Sequence, residues 1–292
     1  MTASVPASRL SPLPPPRPRG VPLAVFCDFD ETYLAHDPSP RQRRDLVELE
    51  DLLLEEATRG TLLFGWVTGS SLESVLAKAD RHRLRVLPHF LAASLGTDLT
   101  YFTTDGPHRD ERWRHRLRAS GYTKATVNEV VAQLVANGVS LRPQGGQERA
   151  EFLSSYYYTA REDRSDRAAI RRIETACVLA GLSVSTNRCN PKAGDPDGSY
   201  DVDFLPRTGG KRAVVAYLVE RFTAADSLAF GDSGNDLDML RGVRHGYLVA
   251  NATAEARAAH PRVSPHPYAA AVRHAIEQAR GRAREETETR CV

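Results

Sequence analysis

Two spacings of apolar residues alternate along the chain. Leu23-Ala-Val-Phe-Cys27 is a continuous apolar run closed by Asp28. It is too short for a helix and suits a strand buried on both faces. Over residues 41–58 the apolar positions Leu46, Leu49, Leu53 and Leu54 fall on a helical stripe, and Gly60 is placed to cap that helix. Leu62–Val67 predicts a second buried strand, followed by a helix over 70–81 and a strand over 91–94. The rhythm returns later, with a helix over 210–222, a strand over 227–230, a helix from Asp236 and a strand over 247–250. Strands alternating with helices predict an α/β fold, a Rossmann-like doubly wound parallel sheet. Ligands in such sheets bind at the carboxyl ends of the strands.

The middle of the chain breaks this pattern. Helical stretches over 110–120 and 126–137 precede strands over 139–142 and 151–158, then a helix over 165–180 and a strand over 182–187. This predicts an inserted α+β cap domain over 103–190, with the core formed by 21–102 and 191–279. Residues 1–20 are Pro-rich and lack the apolar stretch of a secretory signal, so a disordered or polyproline-like lead-in is expected. Residues 280–292 are densely charged and expected to fray.

Composition narrows the function classes. The 292 residues are 41% hydrophobic and 26% charged with a formal net charge of +2, which argues against a nucleic-acid or membrane surface as partner. No apolar run reaches bilayer length. Cys27, Cys177, Cys189 and Cys291 are scattered without a CxxC pair. Disulfide or metal-thiolate scaffolding is therefore not expected, and a cytoplasmic setting is.

Four motifs carry chemistry. Asp28-Phe-Asp30-Glu-Thr32 follows a buried strand. Two carboxylates so placed are costly unless a hard cation such as Mg²⁺ joins them. Asp28 is then the candidate nucleophile and Asp30 the candidate general acid and base. Thr68-Gly69-Ser70, again at a strand end, offers a hydroxyl and backbone N–H groups to a phosphate, although a simple helix N-cap at Ser70 or Ser71 is the competing reading. Gly209-Gly210-Lys211 opens a helix and supplies a positive charge. In Gly231-Asp232-Ser-Gly-Asn235-Asp236, Asp232 is a candidate metal ligand beside Asp28 and Asp30, with Asn235 and Asp236 orienting the metal shell or Lys211. Nucleophile, acid, phosphate cradle, cation and metal ligands together match phosphoryl transfer, in which positioning and charge neutralisation dominate.

In this order DFDET, VTGS, GGK and GDSGND resemble the haloacid dehalogenase superfamily of phosphatases. An insert between the second and third motifs implies a type-2 cap, and SLGTDLTYF with DVDFLP resembles the sucrose-phosphatase-like branch. NRCNPKAGDP, PHFLAASLGT and NATAEA are similar to the kanosamine-6-phosphate phosphatase group, which implies a small sugar phosphate, 3-amino-3-deoxyglucose 6-phosphate, as substrate. Glu31 and Ser70 depart from the Gly and Arg frequent in the broader superfamily. A cap must close over the site and read hydroxyls. Asn187, Arg188 and Asn190 carry suitable donors and acceptors, and Asp195, Asp201 or Asp203 could meet an ammonium group; turn formation is the competing explanation for this segment. Another hexose phosphate or sucrose phosphate remains an alternative substrate. A phosphatase-like module without turnover is the alternative of another class, disfavoured because Asp28, Asp30, Lys211, Asp232 and Asp236 are all present.

Overall fold

The computed structural model describes residues 10–145, 150–189 and 195–290, and for 283–290 the backbone alone. The strands are β1 (Ser11–Pro12), β2 (Leu23–Cys27), β3 (Leu62–Val67), β4 (Val86–Leu87), β5 (Phe90–Ala93), β6 (Asp98–Thr103), β7 (Gly106–Arg109), β8 (Leu141–Pro143), β9 (Ser154–Thr159), β10 (Leu182–Arg188), β11 (Ser199–Pro206), β12 (Asp226–Gly231) and β13 (His245–Leu248). The helices are α1 (Pro40–Thr58), α2 (Leu72–Arg81), α3 (Glu111–Arg118), α4 (Lys124–Ala136), α5 (Asp163–Leu179), α6 (Lys211–Phe222), α7 (Leu237–Arg241), α8 (Ala254–Ala259) and α9 (Tyr268–Arg290).

The core sheet has the order β13-β12-β2-β3-β5-β6-β7. Its first five strands run parallel, and β6 and β7 add an antiparallel hairpin. Alternation loads both faces. Ala24, Phe26, Leu63 and Ala229 pack with Val214 and Leu218 of α6, while Val25, Phe64, Trp66 and Phe230 pack with Leu49 and Leu53 of α1 and Val272 and Ile276 of α9. Gly65 is required in β3, because a Cβ there would lie 2.2 Å from the Phe90 ring.

The inserted unit is a separate antiparallel sheet, β10-β11-β9-β8. Its apolar face, with Tyr158, Val202 and Phe204, packs on Val127 and Val130 of α4 and Ile173 and Cys177 of α5. Its limits differ from the expected 103–190. Residues 98–109 extend the core sheet, and β11, assigned to the core on sequence, lies between β10 and β9. The reason is visible in β11 itself, where Tyr200, Val202 and Phe204 alternate with Asp201 and Asp203. That is the pattern of a strand buried on one face only.

Two further expectations need correction. Part of the Pro-rich lead-in is docked: Ser11–Pro12 pairs with Val86–Leu87, and Leu10 and Leu13 are buried. Residues 1–9 lie outside the described residues. The charged segment from Arg280 continues α9 as helix to Arg290, with Arg280 pairing Glu55 of α1 at 3.1 Å.

His89 ties the lead-in to the sheet. Its Nδ1 accepts the Phe64 N–H at 2.9 Å, so Nε2 carries the proton and donates to the Pro14 carbonyl oxygen at 2.8 Å. Burial lowers its pKa from 6.5 to about 4. The folded state therefore resists a proton that the unfolded chain accepts, and this stability is full above the unfolded value and lost as pH falls toward 4. From pH 7 to pH 5 the loss is about 2 kcal/mol. Denaturant titrations of the parent and of His89→Gln should differ by that amount in their pH dependence. Parallel pH profiles would contradict this role.

Candidate active site

Asp28 sits where β2 leaves the sheet, its N–H still bonded to the Phe230 carbonyl oxygen at 2.9 Å. The chain then turns sharply. Tyr33 N–H returns to Asp28 O at 3.2 Å and Leu34 N–H to Phe29 O at 2.9 Å. Glu31 takes φ +59°, a left-handed conformation that costs a residue bearing a Cβ about 1–2 kcal/mol. Its backbone carbonyl accepts Asn251 Nδ2–H at 2.7 Å, and its carboxylate accepts the His36 N–H at 2.8 Å and the Tyr268 hydroxyl at 3.2 Å. These bonds hold the strained turn, where a glycine would need no such support.

Lys211, 4% exposed, enters from the first turn of α6. Gly210, at φ +103°, redirects the chain into that helix. The ammonium donates to Asp28 Oδ1 at 2.7 Å, Asp236 Oδ1 at 2.7 Å and Asn235 Oδ1 at 3.1 Å, which uses its three donors. The second oxygen of Asp236 accepts the N–H groups of Asp232 at 3.0 Å and Ser233 at 3.2 Å. Thr32, buried in the first turn, donates its hydroxyl to Asp232 Oδ1 at 3.0 Å.

The carboxylates of Asp28, Asp232 and Asp236 each present an oxygen within 4.8 Å of the others. Burial, reinforced by Asp236, lifts the Asp232 carboxyl to about 7. Burial also raises Asp28, against the pull of Lys211. For Lys211 burial works downward, but Asp236 and Asp28 outweigh it and hold the ammonium protonated. Three buried carboxylates facing one ammonium leave a deficit of positive charge. The all-oxygen donor set fits a hard divalent cation such as Mg²⁺.

Thr68 is buried at the end of β3, where its hydroxyl accepts the Ser70 N–H at 3.1 Å. Gly69 stands between them, and a Cβ there would come no closer than 3.5 Å to Leu95. Asp30 behaves differently from Asp28. Its carboxylate is turned outward, taking Lys78 Nζ at 2.6 Å on one oxygen and Ser70 Oγ at 2.8 Å on the other. It is absent from the three-carboxylate group. The sequence reading gave Lys78 no role. Lys78 lies two helical turns beyond Ser70, but its partner Asp30 is 48 residues away, so only the fold brings the pair together.

The candidate substrate residues of the cap divide by strand face. Asn187, Asp201, Tyr157 and Arg142 form one cross-strand row, and Ser185, Asp203 and Ser155 the next. Asp201 accepts Gln144 Nε2–H at 2.8 Å and the Cys189 thiol at 3.4 Å; Asp203 accepts the Ser155 hydroxyl at 2.5 Å. Burial raises the Asp203 carboxyl to about 7 and also raises Asp201. Tyr157 donates to Asp195 at 3.3 Å. This polar face meets the loop of Asp232 and Asp236: a Cβ on Gly234 would lie 2.6 Å from Asn187 Oδ1. Arg188 is excluded from it, because strand alternation puts its guanidinium 5.1 Å from the centre of the Tyr200 ring on the opposite face. Asn190 lies outside the described residues.

With this geometry in place, the comparisons converge. A family model described as sucrose-6F-phosphate phosphohydrolase matches residues 21–279. A Bacillus subtilis (strain 168) protein named kanosamine-6-phosphate phosphatase is 40% identical over 258 residues, spanning 87% of this chain and 91% of that one. The crystal structure of a haloacid dehalogenase-like hydrolase from Bacillus subtilis superposes with TM-score 0.72 and 38% identity, covering 92% of this chain and 95% of the other. The sucrose-phosphatase from Synechocystis, solved with sucrose and phosphate, superposes with TM-score 0.69 at 20% identity over 88% and 98% of the two chains, a likeness of fold.

The loop geometry makes Gly231 a sensitive position. A Cβ there would lie 2.3 Å from Asp236 Cβ, and Asp236 is pinned by Lys211 and two backbone N–H groups. Gly231→Ala should destabilise the fold by about 1–3 kcal/mol through overpacking and reduce turnover at least about a hundredfold, the scale of losing one fixed electrostatic contact. Thermal melting and phosphate release measure both effects. Parent-like activity would show that Asp236 has freedom its bonds deny it.

Proposed function

Since the chain belongs to the sucrose-6F-phosphate phosphohydrolase family, among the phosphoric monoester hydrolases of the haloacid dehalogenase superfamily, we propose that it hydrolyses kanosamine 6-phosphate to kanosamine and phosphate through an aspartyl-phosphate at Asp28. The observation that carries the chemistry is the buried Lys211 ammonium shared by Asp28 and Asp236 beside Asp232. Support for the sugar comes from the relative at 40% identity and from the acidic cap face.

In this reading Asp28, Asp232 and the Asp30 main chain would hold Mg²⁺, with Asp236 and Asn235 behind them. When bound, the cation supplies charge neutralisation for the transferring phosphoryl group. The Thr68 hydroxyl, the Gly69 N–H and Lys211, which gives up its longer bond to Asn235, bind the phosphate oxygens and set phosphorus in line with Asp28. A carboxylate oxygen of Asp28 attacks phosphorus as the bond to the sugar oxygen breaks. Asp30, swung from Lys78 and Ser70 toward the leaving group, gives that oxygen its proton. Asp30 then takes a proton from water, whose oxygen attacks phosphorus and frees Asp28. The reaction needs no redox partner, nucleic acid or membrane, and among the described residues no helix is long and apolar enough to cross a bilayer. A reducing cytosol suits the free thiols of Cys27, Cys177 and Cys189.

The amine of the substrate has a match in the cap. Asp201 and Asp203 take hydrogen bonds from neutral donors, the Gln144 amide, the Cys189 thiol and the Ser155 hydroxyl. A substrate ammonium would give them a charge-assisted partner worth about 1.5–3 kcal/mol. That corresponds to about ten- to a hundredfold in kcat/KM over glucose 6-phosphate. Asp28→Asn should abolish turnover while the protein stays folded, and excess chelator should do the same reversibly. Activity of Asp28→Asn within tenfold of the parent sinks the mechanism. For the sugar, kcat/KM is compared for kanosamine 6-phosphate, glucose 6-phosphate and sucrose 6-phosphate in the parent and in Asp195→Asn, Asp201→Asn and Asp203→Asn. One variant should narrow the amine preference with the magnesium requirement unchanged. Equal rates on all three sugars in the parent would remove kanosamine 6-phosphate as the dedicated substrate.

A further inference from the structure

A second charged cavity lies at the other end of β2 from Asp28. There the Phe222 carbonyl oxygen accepts the N–H groups of Gly20 at 2.9 Å and Val21 at 3.3 Å, joining the lead-in to the end of α6. Beside this junction, between the lead-in, α3 and α6, is a cavity of about 460 Å³ whose lining includes Arg19, Arg112, Arg116 and Arg221. None of these residues takes part in the hydrolytic site.

Arg221 is fixed on a rigid base. Its guanidinium donates to Asp110 at 2.9 Å and to the Tyr217 hydroxyl at 2.9 Å, and lies 5.3 Å from the centre of the Tyr101 ring. Asp110 is buried, and also accepts the Tyr101 hydroxyl, the Tyr217 hydroxyl and the Trp113 N–H. Arg116 stands 5.9 Å from the centre of the Trp113 ring, one turn beyond Arg112 on the same side of α3. Among the described residues, Arg19, Arg112 and Arg116 form no ion pair with a carboxylate. The acidic residue of the lining is Glu220, and Asp110 lies behind the lining as the partner of Arg221. Four guanidinium groups against Glu220 and Asp110 leave two positive charges in excess. Planar guanidinium forks match phosphate oxygens in pairs. The volume lies within the range of small-molecule sites and exceeds what an inorganic phosphate fills.

We propose that this cavity binds a phosphorylated small molecule carrying at least two negative charges, at a site separate from the one that hydrolyses substrate. Trp113 reports on it. Its ring packs against Tyr217 at 5.1 Å between centroids and faces Arg116, while the other tryptophan, Trp66, is buried on the opposite face of the sheet.

The test is calorimetry on the full chain in chelator at physiological ionic strength, titrated with ADP and separately with pyrophosphate, with tryptophan fluorescence followed in parallel. ADP should bind saturably and change the fluorescence. Its affinity should fall at least tenfold in Arg19→Glu/Arg112→Glu and also in the milder Arg112→Gln/Arg116→Gln. These side chains are exposed, so parent-like melting curves are expected and confirm that both variants are folded. ADP binding that survives in both variants would place the anion elsewhere, the Lys211 pocket included, and overturn the proposal. Absence of saturation, or binding of pyrophosphate without ADP, would overturn it as well. The outcome is independent of which sugar phosphate the enzyme cleaves.

Discussion

One ammonium group organises the catalytic end of this molecule. Lys211 is buried between Asp28 and Asp236 at 2.7 Å from each, with Asn235 Oδ1 accepting its third N–H bond. Burying a lone ammonium would cost several kcal/mol, so the site exists only because carboxylates from two other strand ends converge on it. The convergence depends on the parallel sheet. β2 and β12 are adjacent and in register, so Asp28 and Asp232 leave the sheet side by side. Thr32, from the turn that follows Asp28, donates to Asp232, and Asp236 folds back to accept two N–H groups of its own loop. The excess of negative charge left over is what a divalent cation at these oxygens would offset.

The outer half of the site is built on other terms. Asp30, two residues from Asp28, is paired with Lys78 and Ser70 and remains partly exposed. The polar face of the cap sheet meets the same loop through Asn187 and Gly234. An inner set of groups is thus locked by burial, while Asp30 is partly exposed and Asn187 of the cap reaches the loop of Asp232.

Much of the core was legible from the sequence because its strands are continuous apolar runs that end in acidic or hydroxyl residues. Leu62–Val67 was bounded correctly for that reason, and the strand-end motifs bring Asp28, Lys211 and Asp236 into contact, whereas the Asp30 side chain lies outside the buried carboxylate group. What escaped was set by tertiary contact. β11 alternates Tyr200, Val202 and Phe204 with Asp201 and Asp203, which marks a strand buried on one face, and its pairing with β10 and β9 puts that face in the cap. The lead-in looked structureless because its prolines mask two leucines that dock beside β4. Arg188 shared a segment with Asn187 but not a face, since one residue along a strand reverses the direction of the side chain. Lys78 had no local signal at all.

The central claim is that the carboxylate held by Lys211 becomes covalently bonded to phosphorus. Rapid quenching during turnover of a sugar phosphate, followed by borohydride reduction and peptide mass analysis, tests it directly. An acyl-phosphate at position 28 would be reduced to homoserine there, and the account predicts that mass change at Asp28 and at no other aspartate. Reduction at Asp232 or Asp236 instead, or none under conditions that accumulate the intermediate, would contradict it.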